Sequence, residues 1–300
     1  MSLRDWLWVV LLGTIWGSSF LFNAILIREI GPLWVSAGRV TVGALGCWAY
    51  FVATGRRLPA EGRGLYGRFL LLGLINYAAP FALFPMAEQH LPSGIVGVIN
   101  AMTPMTTVIV SQFWPGGEKA TWLKSVGVVI GMIGCIVLAA PDLGRGASPE
   151  LWAILAALIA TLCYAITLNY ARGFARLDPA TIAAASLTGA AVVAIPVAFL
   201  TEGVPVMVRP ESWGALLGIG LLSSSFAFLL MYRLLPRIGG VNFSITTLIA
   251  PVSAIILGML VLGEKLTALE LIGVAGIFLG LIVMDGRLVR RLLPKSARAS

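Results

Sequence analysis

Two similar stretches decide the fold: Gly117-Glu118-Lys119-Ala120-Thr121-Trp122-Leu123 and Gly263-Glu264-Lys265-Leu266-Thr267-Ala268-Leu269. They lie 146 residues apart, and the residues around them keep nearly the same spacing. Pro104 precedes the first stretch and Pro251 the second, while the pairs that follow are Gly127 with Gly273 and Gly134 with Gly280. A fainter match joins Leu7-Trp8 to Leu151-Trp152. This ordered similarity predicts that the chain is an internal duplication.

The composition around these stretches is that of a membrane protein. Hydrophobic residues make up 59% of the 300 and charged residues only 11%, with a mean hydropathy of +0.95, whereas soluble domains carry about 25% charged residues. Since a transmembrane helix needs about 20 apolar residues, ten spans fit: Trp6 to Ile27, Leu33 to Thr54, Phe69 to Glu88, Ser93 to Trp114, Leu123 to Ala140, Leu151 to Ala171, Pro179 to Thr201, Trp213 to Pro236, Val241 to Leu262 and Ala268 to Asp285.

These runs predict an all-α integral membrane protein. Uninterrupted apolar segments must satisfy their backbone hydrogen bonds within helices, and the alternation of a barrel strand is absent. We expect a first five-helix repeat at 1–145, a second at 146–290 and a basic tail at 291–300. Because five is odd, the second repeat is inverted relative to the first (5+5), an arrangement typical of secondary transporters.

Positive charge predicts the orientation. If the N-terminus is cytoplasmic, sixteen Lys and Arg residues fall on the inner side and four on the outer side, with Arg39 inside the second span. Cytoplasmic loops carry the excess of Lys and Arg, so both termini are expected in the cytoplasm of a multi-pass protein of the bacterial inner membrane. The net charge of +8 then reflects topology and attraction to anionic membrane lipid, and no nucleic-acid partner is expected.

Glycine spacing predicts a packing seam. Gly127 and Gly131 in the fifth span, and Gly276 and Gly280 in the tenth, form small-xxx-small patterns that allow close helix approach. We expect these two spans to pack together within one monomer. The alternative is that they join two chains in a dimer.

Two mid-span prolines are candidate hinges. Pro104 and Pro251 lack an N–H, so the carbonyls of Asn100 and Thr247 lose their helical partner. Those oxygens are then free to bind a solute as the helices rock. The alternative is a plain kink in which neighbouring Thr hydroxyls satisfy the carbonyls.

Polar and aromatic residues share helix faces in several spans, as the lining of a small-solute cavity would. Taken singly, each is more commonly a packing residue, but four such faces together favour a substrate site between the repeats. The candidate substrate-binding residues are Trp16, Ser19, Phe20, Asn23, Tyr77, Phe81, Phe84, Asn100, Thr103, Tyr164, Asn169, Ser224, Phe228, Tyr232, Thr246 and Thr247.

Ionisable residues exclude several other functions. All 13 acidic residues fall at span ends or in loops, which favours a neutral or zwitterionic solute and a facilitative mechanism over ion coupling. Arg39 is expected to snorkel or to pair with Glu88 or Glu29. His90, the one histidine, is expected to be solvated. No metal-spaced cluster, cofactor motif or nucleophile with a base is present, so we expect no metal, no cofactor and no enzyme.

The residues Trp16-Gly17-Ser18-Ser19-Phe20, Arg39, Pro104 and Pro251 with Leu262-Gly263-Glu264 together resemble the ten-helix EamA-type members of the drug/metabolite transporter superfamily, exporters of the YddG kind. The resemblance spans the chain, although each motif is loose. It implies a duplicated fold, a central cavity, and export of amino acids or related metabolites. The small multidrug-resistance branch has a glutamate in its first span that is missing here. The alternatives are a proton-coupled multidrug or metabolite efflux carrier and, less favoured, an intramembrane enzyme.

Overall fold

The protein folds as a bundle of ten apolar helices. The computed structural model describes residues 2–56, 58, 63–143, 148–174 and 176–286. Within these ranges the helices are α1 Leu3–Leu26, α2 Pro32–Ala53, α3 Gly64–Glu88, α4 Ser93–Phe113, α5 Trp122–Leu143, α6 Pro149–Phe174, α7 Pro179–Glu202, α8 210–238, α9 240–262 and α10 Ala268–Asp285. The predicted ten-helix membrane fold is confirmed, whereas the basic tail at 291–300 lies outside the described residues.

Local chemistry explains where the helices begin. Ser2 and Thr267 form capping boxes with Asp5 and Glu270 at the starts of α1 and α10, which satisfy backbone donors that the first helical turn leaves free. Ser148 and Asp178 cap α6 and α7. Pro32, Pro149, Pro179 and Pro210 occupy first positions, where the missing N–H costs nothing.

Helices at equivalent places in the two repeats depart from regular α geometry. α3 contains a π-helical segment at Leu74–Ala78, and α8 contains one at Gly218–Phe226. α4 is interrupted by a turn at Ala101 and Met102, and α9 by a turn at Ser244 and Ile245. Such irregular backbone is tolerated at membrane depth only where protein or a cavity surrounds it, and π-helical turns are frequent at functional sites.

The interruptions differ from the predicted proline hinges. In α4 the turn ends directly before Thr103, and Pro104 occupies the first turn of the continuing helix Thr103–Phe113. In α9 Pro251 lies inside the unbroken helix Thr246–Leu257. A single missing N–H removes only one hydrogen bond, so the helix continues past Pro251 and the break lies earlier in the chain.

α5 and α10 pack against each other along their glycines. A Cβ built on Gly127 would lie 2.6 Å from the carbonyl oxygen of Gly280, and one on Gly280 would lie 2.6 Å from the backbone of Gly127 and Gly131. On Gly276 it would lie 2.8 Å from Gly134 Cα. The two backbones therefore approach as closely as glycine alone permits.

Carboxylates link the helices at one end of the bundle, here called the opposite face, which carries Glu29, Glu202 and Glu264. Glu202 at the end of α7 accepts from Leu33 N and Trp34 N at the start of α2, at 3.0 and 3.1 Å. Glu264 after α9 accepts from Ser93 N and Gly94 N at the start of α4, at 2.7 and 3.1 Å. An anionic group at a helix N-terminus is favoured by the helix dipole.

The other end, here called the terminal face, is where α1 begins. Its links are ion pairs between side chains: Arg56 with Asp178, Arg237 with Asp5, and Lys124 with Glu118. Glu118 is equivalent to Glu264 in the repeat, yet it pairs with Lys124 and its side chain is 67% exposed. The opposite face also has an ion pair, between Arg209 and Glu29 at 3.7 Å, but only there do carboxylates hold the starts of α2 and α4.

Candidate functional site

The guanidinium of Arg39 lies buried in the bundle. The residue is 6% exposed. Its Nε donates to Ser224 Oγ of α8 at 3.2 Å, and its Nη2 donates to Ser19 Oγ of α1 at 3.4 Å. Its Cζ lies 3.6 Å from the centroid of the Phe81 ring in α3. A cation over an aromatic face is stabilised electrostatically, so three helices hold this one charge in place.

The predicted snorkelling or pairing of Arg39 is wrong. Among the described residues it forms no ion pair, and Glu29 instead accepts from the N–H groups of Val208 and Arg209 at the opposite face. The guanidinium instead donates to hydroxyl groups of α1 and α8, so its charge stays inside the bundle.

Glu88, the last residue of α3, brings a carboxylate to the same region. It is 8% exposed, and its Oε1 accepts from Asn23 Nδ2 of α1 at 3.2 Å. Neither Glu88 Oε2 nor Asn23 Oδ1 has a hydrogen-bond partner within the described structure. Glu88 is at a span end, as predicted, but its side chain is directed into the protein. Buried polar atoms are nearly always paired, so such atoms need a physical explanation.

Aromatic rings lie in this region in two groups, each with a ring from α3, and the two groups together are here called the aromatic wall. The centroid of Phe84 lies 5.6 Å from that of Phe20 and 6.0 Å from that of Tyr164. Tyr77 lies 5.7 Å from Phe81 and 5.4 Å from Phe228. The wall therefore runs from α1 and α3 of the first repeat to α6 and α8 of the second.

The structure brings most of the sequence-predicted residues together. We define the polar cluster as Ser19, Asn23, Arg39, Glu88 and Ser224. The aromatic wall consists of Phe20, Tyr77, Phe81, Phe84, Tyr164 and Phe228, and Arg39 contacts it at Phe81. The cluster combines a buried guanidinium, a buried carboxyl group and apolar surface, which is the composition of a small-molecule site.

Other predicted residues lie apart from the cluster or serve local structure. Asn169 donates to Ser111 Oγ at 3.2 Å, and Trp16 meets Phe243 edge to face at 6.0 Å. Thr246 and Thr247 donate to the carbonyls of Phe243 and Ser244 at 2.8 and 2.6 Å. The side chain of Tyr232 lies outside the described part of the chain.

Asn100 makes a different contribution from the one predicted. Its carbonyl oxygen is not a free acceptor, because the Thr103 hydroxyl donates to it at 2.7 Å. The alternative of compensation by a Thr hydroxyl therefore holds at this position. The side-chain Oδ1 of Asn100, however, is buried without a partner among the described residues.

Arg39 and Glu88 were missing from the predicted substrate-binding set. Two signals pointed to them: Arg39 is the one cation inside a span by the positive-inside count, and Glu88 continues the face of Phe81 and Phe84 at helical spacing. Their partners Ser224 and Asn23 are 185 and 65 residues away in sequence, so the hydrogen bonds become visible only in the fold.

Within the described residues, no group of three or more His, Cys, Asp and Glu side chains is placed to hold a metal ion. The three cysteines are free thiols, with Cys47 and Cys135 buried and Cys163 half-buried. His90 is exposed.

A duplicated bundle of ten apolar helices around a buried polar cluster defines a transporter-type membrane protein. The family model of the EamA-like transporter family matches residues 5–140 and again residues 151–284. The chain therefore belongs to this family and contains two copies of its repeat. It is a multi-pass membrane transporter whose partner is a small-molecule solute.

Named relatives cover almost the whole chain. It is 27% identical to the uncharacterized inner membrane transporter YedA of Escherichia coli over 274 residues, 90% of this chain and 87% of the relative. It is 29% identical to the threonine/homoserine exporter RhtA of Escherichia coli over 284 residues, 91% and 89% of the two chains. A crystal structure at 21% identity aligns with a TM-score of 0.68 and covers 97% of this chain and 99% of the other, which shows the shared fold.

Proposed function

We propose that the protein exports amino acids or related small neutral or zwitterionic metabolites across the bacterial inner membrane by alternating access, in a facilitative manner. The observation that carries this proposal is the polar cluster, where Arg39 and Glu88 lie buried beside an aromatic wall contributed by both repeats. Burying two ionisable groups in a membrane bundle is costly and typically marks a solute pathway. The similarity to the exporter RhtA supports an amino acid as the solute.

The inverted duplication supports the mechanism. Units 1–145 and 146–290 place related helices with opposite direction, and such repeats exchange conformations as access alternates. The solute site lies between the repeats, as the contacts of Arg39 with α1 and α8 suggest. Both termini are placed in the cytoplasm by the positive-charge bias. The chain acts as a monomer with the α5–α10 seam inside it, and catalysis forms no part of the proposal.

The test is counterflow in liposomes. Purified protein is reconstituted into vesicles loaded with one unlabelled amino acid at a time, and uptake of the same labelled amino acid is measured with no ion gradient. We expect accumulation above that of protein-free vesicles for a subset of neutral amino acids. Absence of counterflow for all twenty would contradict the proposed substrate class.

A second candidate is proton-coupled efflux, which the buried carboxylate of Glu88 favours. An imposed pH gradient distinguishes the two, because the facilitative mechanism predicts no net uphill transport driven by a proton gradient alone. If an imposed pH gradient drives net uphill transport and Glu88→Gln removes that drive but keeps exchange, the coupled mechanism replaces the facilitative one.

A further inference from the structure

The polar cluster contains a guanidinium, that of Arg39, and a carboxyl group, that of Glu88, which are not in contact with each other. Both groups contact the same helix, since α1 supplies Ser19 to Arg39 and Asn23 to Glu88, yet no ion pair forms between them. Each is held by its own neutral partner: Arg39 by Ser19 and Ser224, and Glu88 by Asn23. A guanidinium and a carboxylate would gain by pairing directly in a low-dielectric interior. Their separation leaves a distance, here called the interval, that a ligand bound to both would span.

The length of the interval can be estimated from the helical rise of α1. Ser19 contacts Arg39 and Asn23 contacts Glu88, and both lie on one face of α1 because they are four residues apart. Four residues rise about 6 Å along a helix. The two contact points on α1 are thus about 6 Å apart, with Arg39 nearer the terminal face and Glu88 nearer the opposite face.

Both charges have hydrogen-bonding capacity left. Glu88 Oε2 is buried and has no partner in the described structure. Arg39 carries five N–H groups, and its hydrogen bonds to described residues use only Nε and Nη2. Glu264 also lies near Glu88, but both of its oxygens are occupied by the N–H groups of Ser93 and Gly94. Glu88 is therefore the carboxylate of this region with an oxygen free for a cation.

We propose that Arg39 and Glu88 bind the two charges of one zwitterionic α-amino acid, the carboxylate on Arg39 and the ammonium on Glu88. This inference rests on the proposed function and specifies the substrate class of its site. Each contact is a charge-assisted hydrogen bond of about 2.8 Å, and one α-carboxylate and one α-ammonium suit the interval between the two anchors. Asn23 positions Glu88, and Phe81 positions Arg39.

The aromatic wall determines the side chain that fits. Phe84 lies on the same face of α3 as Glu88, four residues earlier, and its ring contacts those of Phe20 and Tyr164. An apolar or weakly polar side chain gains by burial against these rings, whereas an additional charge would find no described partner there. The site selects neutral amino acids over acidic or basic ones.

The test separates the two anchors with matched ligands. Competition against L-threonine counterflow is measured for L-threonine, for 1-amino-2-propanol, which lacks the carboxylate, and for 3-hydroxybutyrate, which lacks the ammonium. If another amino acid gives the stronger counterflow, its own amine and its own deaminated acid are used. In the wild-type protein each analogue should bind at least about tenfold more weakly than the amino acid, because one charged hydrogen bond is lost.

The variants should then lose selectivity in opposite ways. Arg39→Gln should weaken amino-acid binding about 10- to 100-fold and leave the amine nearly unchanged. Glu88→Gln should weaken the amino acid similarly and leave the deaminated acid nearly unchanged. Glu211→Gln, an exposed substitution outside the cluster, should change none of the three. A merely structural role would weaken all three ligands together.

Two results overturn the inference. The first is a wild-type protein that binds an analogue as tightly as the amino acid, a result that holds even if a variant fails to fold. The second is Arg39→Gln or Glu88→Gln acting equally on all three ligands. If amino acids exchange but this pattern appears, the inference falls and the proposed function stands; if no amino acid exchanges, both fall.

Discussion

Arg39 is a cation inside a membrane span, so its solvation has to come from the protein. A charged side chain at membrane depth is costly and is expected to face the interior of the bundle. Two hydroxyls and the face of the Phe81 ring supply this environment. The π-helical segment of α8 includes Ser224, whose hydroxyl donates to the carbonyl of Ile219 at 3.0 Å and therefore directs its oxygen lone pair to Arg39. The π-helical segment thus orients the Ser224 hydroxyl that accepts from Arg39.

Phe81 should be needed for stability as well as for transport. Phe81→Leu removes the aromatic face under the guanidinium, and a desolvated cation–π contact is worth about 2 kcal/mol. We expect the free energy of unfolding in detergent micelles to fall by about that amount. Phe113→Leu is the control, since Phe113 is 85% exposed on the outside of α4 and its change should stay within about 0.5 kcal/mol. Equal free energies of unfolding for Phe81→Leu and Phe113→Leu would show that Phe81 does not stabilise Arg39.

The site was partly predictable from residue spacing. The faces of Ser19 with Asn23 and of Phe81 with Phe84 and Glu88 follow from helical periodicity, and the structure places these residues side by side. The direction of the Arg39 side chain did not follow from spacing, because it depends on hydroxyls of α1 and α8 that only the tertiary fold brings within reach. Asn169 was included for its polarity, but its hydrogen bond to Ser111 directs it elsewhere.

At the scale of elements, the α5–α10 seam depends on the absence of side chains. Gly280→Val would place a branched side chain where a Cβ already meets backbone at 2.6 Å, and backbone cannot move aside without separating the helices. Overpacking of this kind costs at least about 1–3 kcal/mol, so we expect a clear fall in melting temperature and in the yield of monodisperse protein. Gly67→Ala is the control, because nothing lies within 4 Å of its Cβ. A Gly280→Val protein as stable as Gly67→Ala would contradict the seam.

The same substitution at the two related glutamates should have unequal effects. Glu264→Gln loses the charge that accepts from Ser93 N and Gly94 N, and hydrogen bonds to a charged group contribute about 1.5–3 kcal/mol. Glu118→Gln loses only an exposed ion pair with Lys124, worth about 0–1 kcal/mol. Unfolding measured at neutral pH should therefore show the larger loss for Glu264→Gln. Equal losses would mean that Glu264 does not hold the start of α4.

The Glu118 contact should also depend on pH in a definite direction. The Lys124 ammonium, by hydrogen bond and by charge, lowers the pKa of the Glu118 carboxyl below its usual value of 4.5. A lowered pKa in the folded state gives stabilisation that is present above about pH 4.5 and is lost as the pH falls through the folded-state pKa. Melting temperatures of wild type and Glu118→Gln should therefore differ slightly at pH 7 and converge toward pH 3. A difference that grows on acidification would have the wrong sign.

The elements themselves were largely predictable, and their irregularities were not. Long apolar runs gave ten spans because the lipid demands helices of about that length. α9 differs from the other spans in its regularity. Gly239, with φ of 76°, separates it from α8. The turn at Ser244 and Ile245 then leaves Thr246–Leu262 as a shorter apolar helix. Periodicity does not record a break that glycine conformation and local hydroxyl hydrogen bonds produce.

At the scale of the whole molecule, duplication gives the two halves of the chain related elements. The family repeat occurs twice, at 5–140 and 151–284, and the π-helical segments of α3 and α8 recur at related places. The contacts at the two ends nevertheless differ, with Glu264 holding the start of α4 at the opposite face while its equivalent Glu118 is paired with Lys124. The proposed alternation between two conformations would require such unequal contacts, with each conformation using one copy of a contact.

An even number of spans predicts that both ends of the chain lie on one side of the membrane, and the charge bias predicts that this side is the cytoplasm. The test replaces Cys47, Cys135 and Cys163, none of which is exposed, and adds one cysteine at a time as Ser2→Cys, Ser300→Cys or His90→Cys. In intact cells a membrane-impermeant maleimide should label His90→Cys, which is exposed at the opposite face. Ser2→Cys and Ser300→Cys should react only after the membrane is permeabilised. Labelling of Ser300→Cys but not Ser2→Cys in intact cells would contradict the ten-span topology. Labelling of both terminal cysteines with protection of His90→Cys would reverse the orientation, and with it the direction assigned to the two faces.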